Sequence, residues 1–205
     1  MSFKGKVVAV TGAAGGIGQA VCRYFASEGA AIAAIDKKDT VISFADELKR
    51  DGVKTAHAVA DIGDAASVAK AFAHLVAALG QVDILINNAG YSDHPTLART
   101  DPKGWQADMN GNLNGAFNCA HAVLPGMQEK RQGSIIAVGS VNGLSALGDP
   151  AYSAAKAGMI SLTRSLALEY GRYGIRSNIV LPATVRTPLW DARAKKDPKV
   201  LATLT

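Results

Sequence analysis

The sequence predicts an α/β fold: a doubly wound, mostly parallel sheet with helices on both of its faces. Short apolar segments alternate with longer amphipathic segments along the chain. The short segments are continuously apolar, which indicates strands that are buried on both faces of a parallel sheet. Repeated strand–helix units of this kind form a doubly wound sheet with right-handed crossovers.

Each element follows from its local pattern. The short segments, rich in apolar and β-forming residues, are predicted strands at 6–12, 31–36, 54–61, 82–90, 133–140 and 175–182. The amphipathic segments are predicted helices at 16–30, 39–52, 64–80, 101–130 and 150–171. Asp64 is suited to cap the third helix, and the fourth helix tolerates Gly111 and Gly115 at some cost.

Length and composition indicate a single domain over residues 1–205. With 48% hydrophobic and 19% charged residues the chain can bury a sizeable core, so disorder is not expected. The formal charge of +5 comes without any block of more than two Lys or Arg residues, so nucleic-acid binding is not predicted. The absence of a membrane-length apolar run and of a signal leader favours a soluble, cytoplasmic protein.

No metal site is predicted. Cys22 and Cys119 match no metal or redox spacing, and we expect both to be small buried groups on helices. The histidines show no ligand spacing either; they are His57, His74, His94 and His121. His94 alone falls in a loop near the expected substrate mouth.

A glycine-rich turn, TGAAGGIG at 11–18, joins the first strand to the first helix. Gly12 permits the tight turn, Gly16 or its neighbour lets the backbone approach a pyrophosphate, and Gly18 lets the helix pack closely on the strand. The helix N-terminus, where Ile17 lies, offers free N–H groups to phosphates. The turn predicts a Rossmann-type dinucleotide site. An NTPase loop would need Gly-Lys-Ser or Gly-Lys-Thr at its end, where this sequence has Gly-Gln-Ala.

Asp36 ends the second strand and predicts a preference for NAD over NADP. A carboxylate there can accept hydrogen bonds from both ribose hydroxyls of the adenosine half, and it repels a 2′-phosphate. Lys37 and Lys38 follow and could offset part of that repulsion, and Asp36 could instead be a loop residue. Asp61 and Ile62 end the third strand, where the adenine would lie, although Asp61 could equally cap the next helix.

Five motifs in the right order resemble those of the short-chain dehydrogenase/reductase family, between about Lys6 and Trp190. The glycine turn is similar to the family's Thr-Gly-x-x-x-Gly-x-Gly pattern. The other four are, in chain order, NNAG at 87–90, WQADMNGNLNGAF at 105–117, Ser140 with YSAAK at 152–156, and LPATVRTPL at 181–189.

The resemblance implies a catalytic set of Asn112, Ser140, Tyr152 and Lys156. Asn112, not Asn110, matches the family asparagine because Leu-x-Gly follows it. Tyr152 and Lys156 share one helix face, and an adjacent ammonium would lower the pKa of Tyr152 from near 10. Tyr152 would then exchange a proton with an alcohol while hydride moves to or from nicotinamide. By resemblance, Ser140 holds the substrate oxygen, Asn112 anchors a relay water, and Lys156 binds the nicotinamide ribose.

The same resemblance implies further cofactor contacts, at Asn88, Ala89, Gly90, Pro182, Val185 and Thr187. The asparagine amides of 87–90 could instead tie neighbouring strands together, with Gly90 allowing close approach of the ribose. Thr187 would bond the nicotinamide carboxamide, but it could equally cap a helix that starts at Pro188.

The chain also departs from the family pattern. Ser140 and Tyr152 are one residue closer together than is commonest, and Ala183 stands where the family has glycine. Family members usually continue through another helix and a seventh strand, so we expect the C-terminal strand of the sheet to be missing here. The two family helices that correspond to 101–130 and 150–171 often form subunit interfaces, which suggests a homotetramer or homodimer.

The predicted function is that of an NAD-linked oxidoreductase acting on a small secondary alcohol or its ketone. One alternative is a non-catalytic, nucleotide-binding regulatory protein on the same fold. Another is an NADP-dependent carbonyl or 3-oxoacyl reductase. The substrate pocket would be shaped by residues 91–99, 141–151 and the segment from Thr184 onward, and the sequence does not identify the substrate.

Overall fold

The computed structural model contains a six-stranded sheet, and it describes residues 2–92, 96–145, 147–187, 191 and 195. The strands are β1 (Val7–Thr11), β2 (Ala31–Asp36), β3 (Thr55–Val59), β4 (Ile84–Asn87), β5 (Gly133–Val138) and β6 (Ile175–Val180). Their spatial order is β3-β2-β1-β4-β5-β6, and every neighbouring pair is parallel. The predicted doubly wound parallel sheet is confirmed.

Helices cover both faces of this sheet. Within the described residues they are α1 (Gly16–Ser27), α2 (Thr40–Arg50), α3 (Ala65–Leu79), α4 (Pro102–Met109), α5 (Gly115–Lys130) and α6 (Pro150–Tyr170). On one face α1 and α2 contribute Cys22, Phe25, Phe44 and Leu48 to the core. On the other face α3 and α5 contribute Phe72, Leu75, Val123 and Met127. Met159 brings α6 against α5 and β5.

The strand β1 shows why the apolar runs are continuous. Val8 and Val10 belong to the core under α1 and α2, whereas Val7 and Ala9 belong to the core under α3 and α5. Successive side chains of a strand point to opposite faces, so a strand with a core on each side needs an apolar residue at every position.

The strand order reverses between β1 and β4, the first and fourth strands of the chain. In doubly wound sheets, ligands bind in the crevice at the carboxyl ends of the strands that meet at such a reversal. The glycine turn follows β1 and the NNAG motif begins at the end of β4, so both open into this crevice. At the far side of the described sheet, β6 is an edge strand, with Arg176, Asn178 and Val180 exposed.

The predicted helix over 101–130 is not regular in its middle. The expected regular helix over 101–130 is divided into α4 and α5 by a π-helical segment, Asn110–Asn114. The Asn112 side chain donates a hydrogen bond to the Asp108 carbonyl at 2.8 Å, in place of a regular helical amide. Gly111 and Gly115 make room in this segment for the Tyr91 ring and the Ile62 side chain. Single π turns inside helices often occur at functional sites.

The two cysteines are free thiols with no exposed surface, as the sequence predicts. Burial raises the pKa of both Cys22 and Cys119 to about 12, so neither thiol is reactive at neutral pH. The described residues bring no three potential metal ligands together. None of the helices in the described part of the chain combines the length and apolar character needed to cross a bilayer.

Candidate functional site

A cleft of about 660 Å³ opens at the carboxyl ends of the central strands. Several residues singled out by the sequence line it together: Ile17, Asn88, Gly90, Ser140, Tyr152, Lys156, Pro182, Val185 and Thr187. Segments far apart in the chain thus meet in one place. The other predicted site residues are not among those that line the cleft: Gly12, Gly16, Gly18, Asp36, Asp61, Ile62, Ala89 and Asn112. Of these, Asp36 ends β2, and Asp61 and Ile62 follow β3.

The glycine turn has the close packing that its spacing predicts. Gly12 has a positive φ of 64°, and a Cβ there would come within 2.9 Å of the Ala89 Cα. A Cβ on Gly18 would overlap with the carbonyl oxygen of Gly12, so only glycine lets α1 begin this close to β1. Gly15 precedes α1 and provides no side-chain cap, which leaves the first amides, from Gly16 onward, open to the crevice.

Thr11 and Asn88 hold this turn against β4, a role for Thr11 that was not predicted from its sequence context. The fully buried Thr11 hydroxyl accepts hydrogen bonds from the backbone amides of Asn88 and Ala89, each at 3.0 Å. The Asn88 amide donates in return to the carbonyls of Thr11 and Gly12, at 2.9 and 3.2 Å. The Asn88 amide therefore ties β4 to the end of β1, as the structural interpretation of the NNAG motif predicts.

Asn87 and Gly90 also serve the packing around the site. The Asn87 amide donates to the Ala116 carbonyl at 3.0 Å and ties β4 to α5. A Cβ on Gly90 would lie 2.5 Å from the Asn112 Oδ1 and 3.2 Å from the Lys156 Nζ. The absence of a side chain at Gly90 makes room for these two polar groups.

The carboxylate of Asp36 faces the glycine turn. It accepts hydrogen bonds from the backbone amides of Ala14 and Lys38, both at 3.0 Å. From the sequence, Lys37 could offset part of the repulsion between Asp36 and a 2′-phosphate. In the structure Lys37 instead forms an ion pair with Asp61 at 2.8 Å. The pKa of Asp61 is lowered by this pairing.

The end of β3 differs from what the sequence suggested. Asp64 caps α3 by accepting a hydrogen bond from the Ala66 amide, so Asp61 is not the cap. The Ile62 side chain is only 7% exposed and packs in the core beside Gly115. The Ile62 side chain therefore belongs mainly to the core.

Asn112 is fully buried in the π-helical segment. Its amide donates to the carbonyls of Tyr91 and Asp108, both at 2.8 Å. Its Oδ1 is buried and accepts no hydrogen bond within the described residues, and it lies beside Gly90 with the Lys156 ammonium. An acceptor in this position is suited to hold a donor such as water.

Lys156 is 2% exposed, and its ammonium donates to the Val138 carbonyl at 2.9 Å. The ammonium lies 5.3 Å from the centroid of the Tyr152 ring. Burial lowers the pKa of Lys156 to about 8. The ammonium is thus held between the end of β5 and the aromatic ring of Tyr152.

The expected lowering of the Tyr152 pKa is wrong for this structure. The pKa of Tyr152 is raised, mainly because burial disfavours the phenolate and also because the Asp149 carboxylate repels it. A hydrogen bond with the Ser140 hydroxyl opposes the shift without reversing it. The Lys156 ammonium makes its hydrogen bond with Val138 and not with the phenol oxygen, which is why helical spacing alone gave the wrong direction.

Asn142 supports Ser140, a role that was not predicted from the sequence. The Ser140 hydroxyl accepts a hydrogen bond from the backbone amide of Asn142 at 3.2 Å and donates to the Asn142 Oδ1 at 3.4 Å. The Asn142 side-chain amide donates to the Ser153 hydroxyl at 3.4 Å, and Ser153 donates to the Gly148 carbonyl at 2.6 Å. Since the proton of Ser153 is committed to Gly148, Asn142 must present its Nδ2 to Ser153 and its Oδ1 to Ser140.

The segment after β6 forms the remaining wall of the cleft. The Pro182 carbonyl accepts a hydrogen bond from the Val141 amide at 3.1 Å, which joins this segment to the Ser140 turn. Val185 is 42% exposed at the mouth, and Thr187 lines the cleft. A capping role for Thr187 concerns a helix from Pro188 onward, which lies outside the described residues, as does His94.

Keeping an ammonium at the buried Lys156 position destabilises the folded protein. Its pKa of about 8 lies below the ordinary value of 10.5, so the unfolded chain binds this proton more tightly. At about 1.4 kcal/mol per pH unit, the cost is about 3 kcal/mol below pH 8 and falls as pH rises towards 10.5. We expect Lys156→Met to raise the free energy of unfolding at pH 7 by about 1–3 kcal/mol, measured by urea denaturation.

The exposed Lys70 of α3 offers the control. Lys70→Met should change the free energy of unfolding by less than about 0.5 kcal/mol. A loss of stability in Lys156→Met would show that the ammonium stabilises the fold and would contradict this interpretation.

Comparison with known sequences identifies the family. A family model described as short chain dehydrogenase matches residues 6–198. An uncharacterized oxidoreductase of Schizosaccharomyces pombe is 40% identical, over 98% of this chain and 75% of its own length. The hydroxy(phenyl)methylsuccinyl-CoA dehydrogenase subunit BbsD of Thauera aromatica is 38% identical, over 98% of this chain and 82% of its own length.

Solved structures share the fold at a similar level. An oxidoreductase of the short-chain dehydrogenase/reductase family from Burkholderia thailandensis is 46% identical with a TM-score of 0.88, covering 97% of this chain and 76% of its own. An NAD⁺-bound xylitol dehydrogenase is 30% identical with a TM-score of 0.89, covering 98% and 78% of the two chains. A gluconate 5-dehydrogenase from Burkholderia cenocepacia, in complex with NADP and tartrate, is 34% identical with a TM-score of 0.87, covering 93% and 76%. The chain belongs to the short-chain dehydrogenase/reductase family, whose members are NAD(P)-dependent oxidoreductases with small-molecule substrates.

Proposed function

We propose that this chain is a single dinucleotide-binding and catalytic domain that transfers hydride between NAD(H) and a secondary alcohol or its ketone. The observation that carries the proposal is that Ser140, Tyr152 and Lys156 line one cleft with the N-terminal turn of α1 at Ile17. An acid–base hydroxyl, a second hydroxyl for the substrate oxygen and a cation beside a nucleotide cradle are the groups that this reaction requires.

The residues around the glycine turn fit a dinucleotide. The turn is closely packed, because Gly12 and Gly18 leave no room for a Cβ. The helix α1 begins without a side-chain cap, so its first amides can bind a pyrophosphate. The pyrophosphate would be held by the turn, at Gly12, Gly16, Ile17 and Gly18. Asp36 would hold the adenosine ribose, and Asp61 with the backbone of Ile62 would hold the adenine.

The nicotinamide half would lie in the cleft. The residues that would contact it are Asn88, Ala89, Gly90, Tyr152, Lys156, Pro182, Val185 and Thr187. When bound, the nicotinamide supplies the acceptor or donor of the hydride. The proton at the substrate oxygen would be transferred by a side chain of the protein.

Tyr152 moves the proton at the substrate oxygen. In oxidation its phenolate accepts the proton of the alcohol while the carbon loses hydride, and in reduction its hydroxyl returns a proton to the carbonyl oxygen. Because burial raises the pKa of Tyr152, the hydroxyl form that serves reduction dominates at pH 7. The rate of alcohol oxidation should therefore increase as pH rises towards that pKa.

The neighbouring residues orient this reaction. Ser140, whose hydroxyl opposes the rise in the Tyr152 pKa, would hold the substrate oxygen within reach of the phenol. The Lys156 ammonium beside the ring would stabilise negative charge as it develops on the phenol. The unpaired Oδ1 of Asn112 would hold a water next to that ammonium, through which protons can leave the buried site.

The proposal is tested by mixing the full chain with NAD⁺ or NADP⁺ and a panel of secondary alcohols, and following the absorbance of the reduced cofactor. The proposal predicts turnover with at least one alcohol, and faster turnover with NAD⁺. Tight binding of either cofactor without turnover on any alcohol or ketone would favour a non-catalytic nucleotide-binding protein.

We expect Asp36→Ala to reduce the discrimination against NADPH. Asp36 is held at the glycine turn by two backbone amides, and Lys37 is engaged with Asp61, so the carboxylate remains a negative charge beside the predicted ribose site. Its removal should lower the ratio of the NADPH and NADH dissociation constants by about tenfold or more, measured by fluorescence titration.

Asp39 provides a matched control, since it is an exposed carboxylate three positions later that makes no side-chain cap to α2. Asp39→Ala removes the same charge and should leave the ratio unchanged. Equal ratios in wild type and Asp36→Ala would contradict the assigned role of Asp36.

We further propose that α4, α5 and α6 form a subunit interface in a homodimer or homotetramer. Trp105, Phe117 and Leu168 of these helices are 38%, 52% and 88% exposed, which leaves large apolar groups without a partner in the monomer. Sedimentation of the wild type should show a dimer or tetramer, and Leu168→Glu should shift it towards monomer. A wild type that sediments only as monomer would rule the interface out.

A further inference from the structure

Asp149 precedes α6 in an unusual backbone conformation. Its φ of 47° and ψ of 67° lie in the left-handed region, and it is one of two non-glycine residues with positive φ in the described part of the chain. Gly148 before it also has a positive φ, of 100°. Asp tolerates this region better than most residues, but such conformations cluster at functional sites.

The carboxylate of Asp149 does not serve the helix that it precedes. An Asp at this position ordinarily accepts a hydrogen bond from an amide in the first helical turn, but Asp149 makes no side-chain cap. Its backbone carbonyl accepts from the Ser153 amide at 2.8 Å instead. Among the described residues the carboxylate has no ion pair, and Asp149 lines the cleft.

Asp149 supplies the negative charge among the described residues that line the cleft. Of the described residues that line it, Asp149 and Lys156 have charged side chains, and Lys156 is buried with its ammonium bound to Val138. The Asp149 carboxylate is close enough to the Tyr152 hydroxyl to raise its pKa. Nearby, Leu147 and Val185 contribute apolar surface to the same cleft.

We propose that Asp149 selects the substrate by charge: it excludes alcohols with a carboxylate or phosphate close to the reacting carbon, and it favours neutral or ammonium-bearing alcohols. A hydroxyl or ammonium group of the substrate can donate to the Asp149 carboxylate, whereas an anionic group is repelled by it. The inference rests on the proposed function, because it identifies the cleft as the site of the alcohol.

Three alcohols with the same carbon skeleton test this inference: 3-hydroxybutanoate, butane-1,3-diol and 4-aminobutan-2-ol. They differ in carrying a carboxylate, a hydroxyl or an ammonium at the same distance from the secondary alcohol. Their dissociation constants are measured by NMR titration of the full chain saturated with NADH, so that binding is scored without turnover. Asp149→Asn keeps the shape and the tolerance for the left-handed region while removing the charge.

At a separation of about 6 Å in a water-like dielectric, one unit charge changes affinity by about threefold. The wild type should therefore bind 4-aminobutan-2-ol about tenfold more tightly than 3-hydroxybutanoate, because attraction and repulsion combine. In Asp149→Asn this ratio should fall to near one. Glu129→Gln removes an exposed carboxylate from the far end of α5 and should leave the ratio unchanged.

The outcomes separate the inference from the proposed function. An equal ratio in wild type and Asp149→Asn, a wild-type preference for 3-hydroxybutanoate, or no binding of any of the three alcohols would overturn the charge selection. Charge-dependent binding with no turnover on the wider alcohol panel would leave the selection standing and overturn the proposed oxidoreductase activity.

Discussion

Replacing Tyr152 with phenylalanine is expected to lower kcat by about a thousandfold while leaving NADH binding unchanged. The substitution removes only the phenol oxygen, and a positioned acid–base group contributes about 10²–10⁴-fold to such proton transfers. The ring remains to pack beside the Lys156 ammonium, which lies 5.3 Å from its centroid, so the cleft should keep its shape. The rate is measured with whichever alcohol of the panel the wild type turns over, and NADH binding by fluorescence.

Tyr170 is the matched control, because it lies at the other end of α6 and outside the cleft. Tyr170→Phe should retain kcat within about twofold. If Tyr152→Phe also retained kcat within about tenfold, the proton would have to come from another group and the proposed mechanism would be wrong.

The second large effect is expected for Gly18→Ala. A Cβ at Gly18 would overlap with the Gly12 carbonyl oxygen and would lie 2.9 Å from the Ala13 Cα, and both obstacles are backbone atoms that cannot rotate away. The start of α1 must then move off β1, which should reduce the free energy of unfolding by about 3 kcal/mol, at the upper end of overpacking costs. NADH should bind at least about tenfold more weakly, because the displaced amides no longer converge on the pyrophosphate.

Gly15→Ala separates this clash from the general effect of adding a methyl group to the turn. Gly15 has an ordinary φ of −79°, and its Cβ would meet the Gly12 oxygen at 3.3 Å, which a small shift relieves. Gly15→Ala should keep both stability and NADH affinity close to the wild type. Equal behaviour of the two variants in urea denaturation and NADH titration would show that close packing at Gly18 does not build the cradle.

Much of the fold could be predicted because its signals are local. The short strand segments alternate with amphipathic helices. In β1, Val7 belongs to one core and Val8 to the other, which explains why 7–10 are all apolar. The spacing of Gly12 and Gly18 reports the close approach of α1 to β1, since both positions exclude a side chain. Ser140, Tyr152 and Lys156 are grouped by the resemblance to the family, and their places at a strand end and a helix start are consistent with one edge of a parallel sheet.

The features that the sequence did not predict depend on contacts between distant segments. The π turn at Asn110–Asn114 accommodates Tyr91 and Ile62, which no helical periodicity within 101–130 can report. Asn142 gains its role only when Ser140 and Ser153 are brought together.

The direction of the Tyr152 pKa shift is another such feature. The spacing of Tyr152 and Lys156 gives their separation along the helix, but not the direction of the ammonium, which reaches the Val138 carbonyl. Burial then dominates the ionisation of Tyr152.

Transfer of deuterium from the alcohol to the cofactor is the most direct test of hydride transfer in the cleft. The full chain is incubated with NAD⁺ and a turned-over secondary alcohol that carries deuterium on its carbinol carbon, and the reduced cofactor is analysed by mass spectrometry. Direct hydride transfer in the cleft predicts one deuterium in each molecule of reduced cofactor formed by the wild type, and almost no reduced cofactor with Tyr152→Phe. Reduced cofactor without deuterium, or bound cofactor that no alcohol on the panel reduces, would contradict the account.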